Sequence, residues 1–123
     1  MDDNKVDVMN KILQLSDTAL EGLEHIRKRA MEGHFEKTAD LFTDIVESFY
    51  RMEAALQPYF PEFNETGLEQ KTKDVVQGLK LMLAAYEGEK DVRPLEVLQF
   101  SLLPRYRAWQ EDLRDALGPY TAS

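Results

Sequence analysis

Apolar residues recur at steps of three and four along most of the chain, and no stretch alternates residue by residue as a half-buried strand would. From about Asn4 to Met31, the residues Val6, Met9, Ile12, Leu13, Leu20, Leu23 and Ile26 fall on one face of a helix. Arg27, Lys28 and Arg29 crowd its last turns, where the helix dipole favours cations, and Gly33 supplies a left-handed cap. A second stripe, Phe35, Phe42, Ile45, Val46, Phe49, Met52 and Leu56, predicts a helix from about Phe35 to Gln57. Pro58 ends it, because the residue before a proline leaves the helical region. The following PYFPEFNETG reads as a loop, with Phe60 and Phe63 folded back over one end of the bundle.

Thr66 and Glu69 have the spacing of a capping box and open a third helix. Its stripe is Leu68, Val75, Val76, Leu79, Met82, Leu83 and Tyr86, and Gly88 ends it. Asp91 is a suitable N-cap for a fourth, with Pro94 tolerated in the first turn. Leu95, Leu98, Leu102, Tyr106, Trp109, Leu113 and Leu117 form its stripe. Pro104 interrupts that stripe and removes one backbone hydrogen bond. Short connections between long helices favour antiparallel neighbours. The pattern predicts an all-α, antiparallel four-helix bundle, residues 1–123 as one domain, with the fourth helix kinked or split at Pro104.

Composition narrows the function classes. The chain is 43% hydrophobic and 31% charged, a globular balance. It has no cysteine, so disulfides and thiolate metal sites are excluded and a reducing, cytoplasmic setting is expected. The acidic N-terminal stretch is unlike a signal peptide, and no apolar run reaches the roughly 18 residues that span a bilayer. The formal charge of −8 repels phosphate backbones and anionic lipid, so neither nucleic acid nor membrane is an expected partner.

Candidate chemistry is sparse. Glu21, Glu24, Asp44 and Glu47 could hold magnesium between two antiparallel helices, as in all-helical nucleotide pyrophosphohydrolases. At 100° per residue, however, Asp44 and Glu47 point away from their apolar stripe, as Glu21 does from its own, so a solvated acidic face and no metal are expected. His25 and His34 lack the paired spacing of a di-iron bundle. Arg29 and His34 have the spacing of some helical ribonucleases but straddle the break at Gly33. The serines Ser16, Ser48 and Ser101 have no histidine close in sequence. No catalytic residue and no cofactor is expected.

The outer face of the fourth helix is more informative. Val97, Phe100 and Pro104 fall away from its stripe, with Leu103 on the flank, and exposed apolar patches mark interfaces. Arg93, Arg105 and Arg107 lie near this face and suit an acidic partner. The expected partner-binding set is Val97, Phe100, Leu103, Arg105 and Arg107. An inward turn of Phe100 at the Pro104 kink remains the alternative.

The first helix carries Leu15-Ser16-Asp17-Thr18-Ala19, and the turn after it reads Glu32-Gly33-His34-Phe35-Glu36-Lys37. These segments, with the late helix ending near Trp109, resemble bacterial flagellar export chaperones of the flagellin-binding type over about residues 12–113. Ser16 and Thr18 stand where that family has tyrosine and glycine. The resemblance implies a cytosolic chaperone that cradles an apolar helix of its partner between its own helices. The expectation is a non-enzymatic binding module for another protein or for a second copy of itself. The other readings are the metal-dependent pyrophosphohydrolase and a structural homodimer.

Overall fold

The computed structural model describes the backbone of residues 3–121 and the side chains of residues 4–63 and 67–121. Helix α1, Asp3–Met31, is followed by a 3-10 turn, Phe35–Thr38, and by α2, Ala39–Leu56. A 3-10 segment, Gln57–Thr66, leads into α3, Leu68–Tyr86. The last rod has three joined parts: α4, Pro94–Val97, a π-helical turn, Leu98–Leu102, and α5, Leu103–Thr121. The described residues contain no strand, and the fold is an all-α, antiparallel four-helix bundle with an interrupted fourth helix.

Two helix ends follow directly from glycine. Gly33 and Gly88 have φ of 81° and 74°, a conformation in which a side chain is strained. Beyond each, the next amide reaches back one extra residue, His34 N–H to the Arg29 carbonyl at 2.8 Å and Glu89 N–H to the Ala84 carbonyl at 3.1 Å. These bonds satisfy carbonyls that the ended helix leaves open. Helix starts depart from expectation. Asp91 is no N-cap: it sits at φ 70°, and extended Arg93 precedes Pro94. The side chain of Thr66 lies outside the described residues; the residue before α3 is Gly67.

The expected break at Pro104 lies just upstream of that residue. Pro104 has no N–H to return to the carbonyl of Phe100, and its ring crowds the preceding turn. The chain widens into the π turn first, where the Leu103 N–H donates to the Leu98 carbonyl, five residues back. Opposite this turn stands Gly78 of α3, where a Cβ would come within 3.0 Å of the Leu102 Cδ1 and 3.2 Å of its Cα. Glycine there lets α3 and the π turn approach backbone to side chain.

The buried apolar side chains form one cluster around Phe49, Tyr106 and Trp109. Trp109 lies 4.9 Å from Phe49 and 5.2 Å from Tyr106, centroid to centroid, with the rings tilted. Full burial of side chains this size is worth about 1.5–3 kcal/mol each. Their polar ends are satisfied: the Trp109 indole N–H donates to Thr72 Oγ1 at 3.0 Å, and the Tyr106 hydroxyl donates to the Ser16 carbonyl at 2.7 Å. Helix α1 packs extensively on α2 and α5, and α3 on α5, whereas α2 and α3 barely touch.

Candidate partner-binding surface

The π turn separates the predicted interface residues. Phe100 projects outward and is 79% exposed. Val97 is half-buried and packs on the core, and Leu103 is only 3% exposed. Leu103 is therefore removed from the partner-binding set. It lies on the flank of α5 that faces α1, the flank that also carries Gln110 and Arg107, so the last rod buries a wider arc than its leucine stripe suggests. The arginines are also engaged within the chain. Arg105 donates to the Asp74 carbonyl of α3 at 3.2 Å, and Arg107 pairs with Glu24 of α1. Next to Phe100, the buried Ser101 hydroxyl has no hydrogen-bond partner among the described residues.

The carboxylates do not converge. Glu24 is taken by Arg107 and Arg27, while Glu21, Asp44 and Glu47 are exposed. Among the described residues, no three histidine or acidic side chains are placed to hold a metal ion. His25 is exposed and His34 half-buried. Ser16, one of the serines weighed as a nucleophile, is fully buried; its hydroxyl donates to the Leu13 carbonyl at 2.7 Å and accepts from Gln110 Nε2 at 3.2 Å. Gln110 also reaches Asp17 at 2.7 Å, which Arg114 contacts at 2.8 Å. This polar row pins α5 to α1. Burial drives the Tyr106 hydroxyl in the row far above its ordinary range, so it stays protonated as a donor.

The sequence pattern misses a second apolar feature. Between α2 and α3 an open trough of about 260 Å³ is floored by Phe42, Val46 and Leu79 and edged by Tyr50 and Leu83, which are 42% and 49% exposed. Leu83, counted in the buried stripe of α3, is thus a rim residue. The trough closes at one end, where Tyr86 stacks on Phe42 at 4.8 Å and on Phe35 at 4.2 Å. The Tyr86 hydroxyl sits 2.7 Å from Thr38 Oγ1, fixing that corner. The ten-residue segment Gln57–Thr66 joins α2 to α3 at the other end.

At the far pole, Lys5 bridges to Glu62 at 3.0 Å, and the Tyr120 hydroxyl donates to the same carboxylate at 2.9 Å. That contact holds the Glu62 carboxyl below its ordinary range and the Lys5 ammonium above its own. This tie secures the connector to the start of α1 and the end of α5. No helix of the described residues is long and apolar enough to cross a membrane.

No curated protein and no solved structure matches the chain significantly. A family model does match residues 7–112, from the second turn of α1 to the middle of α5, and so takes in all four rods, the π turn and both apolar features. The chain belongs to the family described as a domain of unknown function (DUF8042).

Proposed function

We propose that this domain is a non-enzymatic, protein-binding helical module that uses Phe100 as an anchor. The observation that carries this reading is the 79% exposure of Phe100 on a π turn held between two helical segments. A large aromatic ring in water, on a backbone that cannot collapse to hide it, gains about 1.5–3 kcal/mol when a partner covers it. Aromatic anchors of this kind dominate interface energetics, and π turns inside helices recur at functional positions. The partner is another protein or a second copy of the chain, in the cytoplasm. The apolar trough between α2 and α3 supports the chaperone-like version, in which the module cradles a helix.

The test compares wild-type protein with Phe100→Asp by sedimentation equilibrium and by affinity capture from lysate. Because Phe100 is exposed, its replacement leaves the melting temperature unchanged. Loss of a dimer, or release of a captured protein, at unchanged melting temperature supports the anchor. The same mass and the same captured set for both proteins refute it.

A further inference from the structure

The last turns of α1 and the π turn share a cationic pocket. Arg27 of α1, Gln99 of the π turn, and Leu103 and Arg107 of α5 line an open hollow of about 140 Å³. No acid stands in that lining, although the chain carries a net charge of −8. Glu24 holds the two arginines from outside the lining. One of its oxygens accepts from Arg27 Nε at 3.1 Å, and the other accepts from Arg107 Nη2. The other described ion pairs match one cation to one carboxylate, as Lys71 with Asp112 and Arg114 with Asp17. Here two guanidiniums share a single carboxylate, so one positive charge is left over. Most of the guanidinium N–H donors are left over as well, because Glu24 takes only one from each arginine. The half-buried Gln99 side chain has no hydrogen-bond partner among the described residues.

We infer that this pocket receives the carboxylate of an aspartate or glutamate from the protein that Phe100 anchors. The inference rests on the anchor reading and gives that partner its chemistry. Gln99 precedes Phe100 in the π turn, and adjacent Cα atoms lie about 3.8 Å apart, so one short segment covers the ring and reaches the pocket. A carboxylate is planar and accepts two parallel N–H bonds from a guanidinium, which is the geometry an arginine offers. Its single charge equals the surplus. A phosphate dianion exceeds it, and the excess falls beside Glu24 in an acidic chain. A second copy of this chain fits poorly: two copies meeting about a two-fold axis at Phe100 bring the arginine pairs of both toward one another. The partner segment therefore carries an apolar residue for the ring and an acid beside it for the pocket.

The probe comes from a display library of random short peptides selected on the full chain. The enriched peptides pair an apolar residue with aspartate or glutamate. One of them is then synthesised with its acid and, as a companion, with the matching amide, and each is titrated into the labelled full chain. The acid form shifts amide resonances at Arg27, residues 99–103 and Arg107. The amide form binds about tenfold more weakly or worse. Arg107→Gln erases most of that difference. Glu24→Gln raises the surplus to two charges and tightens the acid form about threefold or more, a gain that misfolding cannot mimic. Inorganic phosphate does not displace the acid form at equal concentration. Phe100→Ser weakens both forms alike. An effect of Arg107→Gln with none of Phe100→Ser would keep the carboxylate pocket and remove the anchor reading instead. A loss in Phe100→Ser, with the acid–amide difference intact in Arg107→Gln, would keep the anchor and overturn this inference. Enriched peptides without an acid, no enriched peptide, displacement by phosphate, or a dimer that buries the pocket would each overturn it too.

Discussion

The α1–α5 seam and the α2–α3 seam both run between long helices of one bundle and behave as opposites. Along α1–α5, small and polar residues close the gap: Ser16 is fully buried, Gln110 bonds both Ser16 and Asp17, and Tyr106 reaches the Ser16 carbonyl. Along α2–α3, bulkier apolar residues leave the gap open, and Tyr50 and Leu83 stand half in water. Apolarity therefore does not by itself say where the bundle is sealed. Sealing follows helix separation, and that is set elsewhere. At the closed seam, a row of hydrogen bonds running from buried Ser16 and Gln110 out to exposed Asp17 holds the rods together, and leaving a buried partner unmet costs free energy. At the open seam, the Phe42–Tyr86 stack joins the two helices at one end.

The largest expected effect falls on the closed side. Trp109→Ala removes the central ring and leaves Thr72 without its donor, and should cost about 3–5 kcal/mol in urea unfolding. A loss below about 1 kcal/mol would mean that the core does not centre on α5. Gly78→Val comes next. Its side chain would meet the Leu102 side chain at 3.0 Å and its Cα at 3.2 Å, so the π turn has to shift, and about 2 kcal/mol should be lost. If the variant is neutral, the π turn is movable and the two sides differ less than described.

Gln110→Ala should cost about 1–2 kcal/mol by removing the bond to buried Ser16 and the tie to Asp17. The Tyr106 hydroxyl sharpens the same point through pH. Its pKa is raised in the folded state by burial, so above about pH 10, where the unfolded chain's tyrosine ionises, the unfolded state binds fewer protons and stability falls. Stability from this group is complete below that pH and declines above it, by about 1.4 kcal/mol per pH unit. Tyr106→Phe should flatten that alkaline decline; an unchanged slope would place the titrating group elsewhere, Tyr86 and Tyr120 being half-buried candidates with raised pKa values. The smallest effect belongs to the open side: Leu83→Asp should alter stability by no more than about 0.5 kcal/mol.

Much of this architecture was legible in the sequence, and the failures have a common origin. Periodicity located four rods, and Gly33 and Gly88 marked two ends, because both signals are local. The π turn was invisible because Pro104 signals a break without saying that the chain widens upstream of it, and its close neighbour Gly78 is far away in sequence. Leu103 was read as exposed and is buried because α1 covers the flank of α5, which a helical wheel drawn for one helix cannot include. Leu83 erred in the other direction: its position on the wheel is correct, but the helix it faces is too far away to cover it. Ser16 gave no sign of burial, since only Gln110 and Tyr106, arriving from the other end of the chain, make a buried hydroxyl there acceptable. The trough was missed for the same reason, because width between helices is a tertiary quantity.

The account rests on the claim that Phe100 and Leu83 serve association and contribute nothing to the fold's own stability. Urea unfolding of the double variant Phe100→Ser, Leu83→Ser tests it most directly. A midpoint and slope matching the unsubstituted chain, within about 0.5 kcal/mol, is the predicted result. A loss of about 2 kcal/mol or more would show that these side chains are covered in solution and belong to the core.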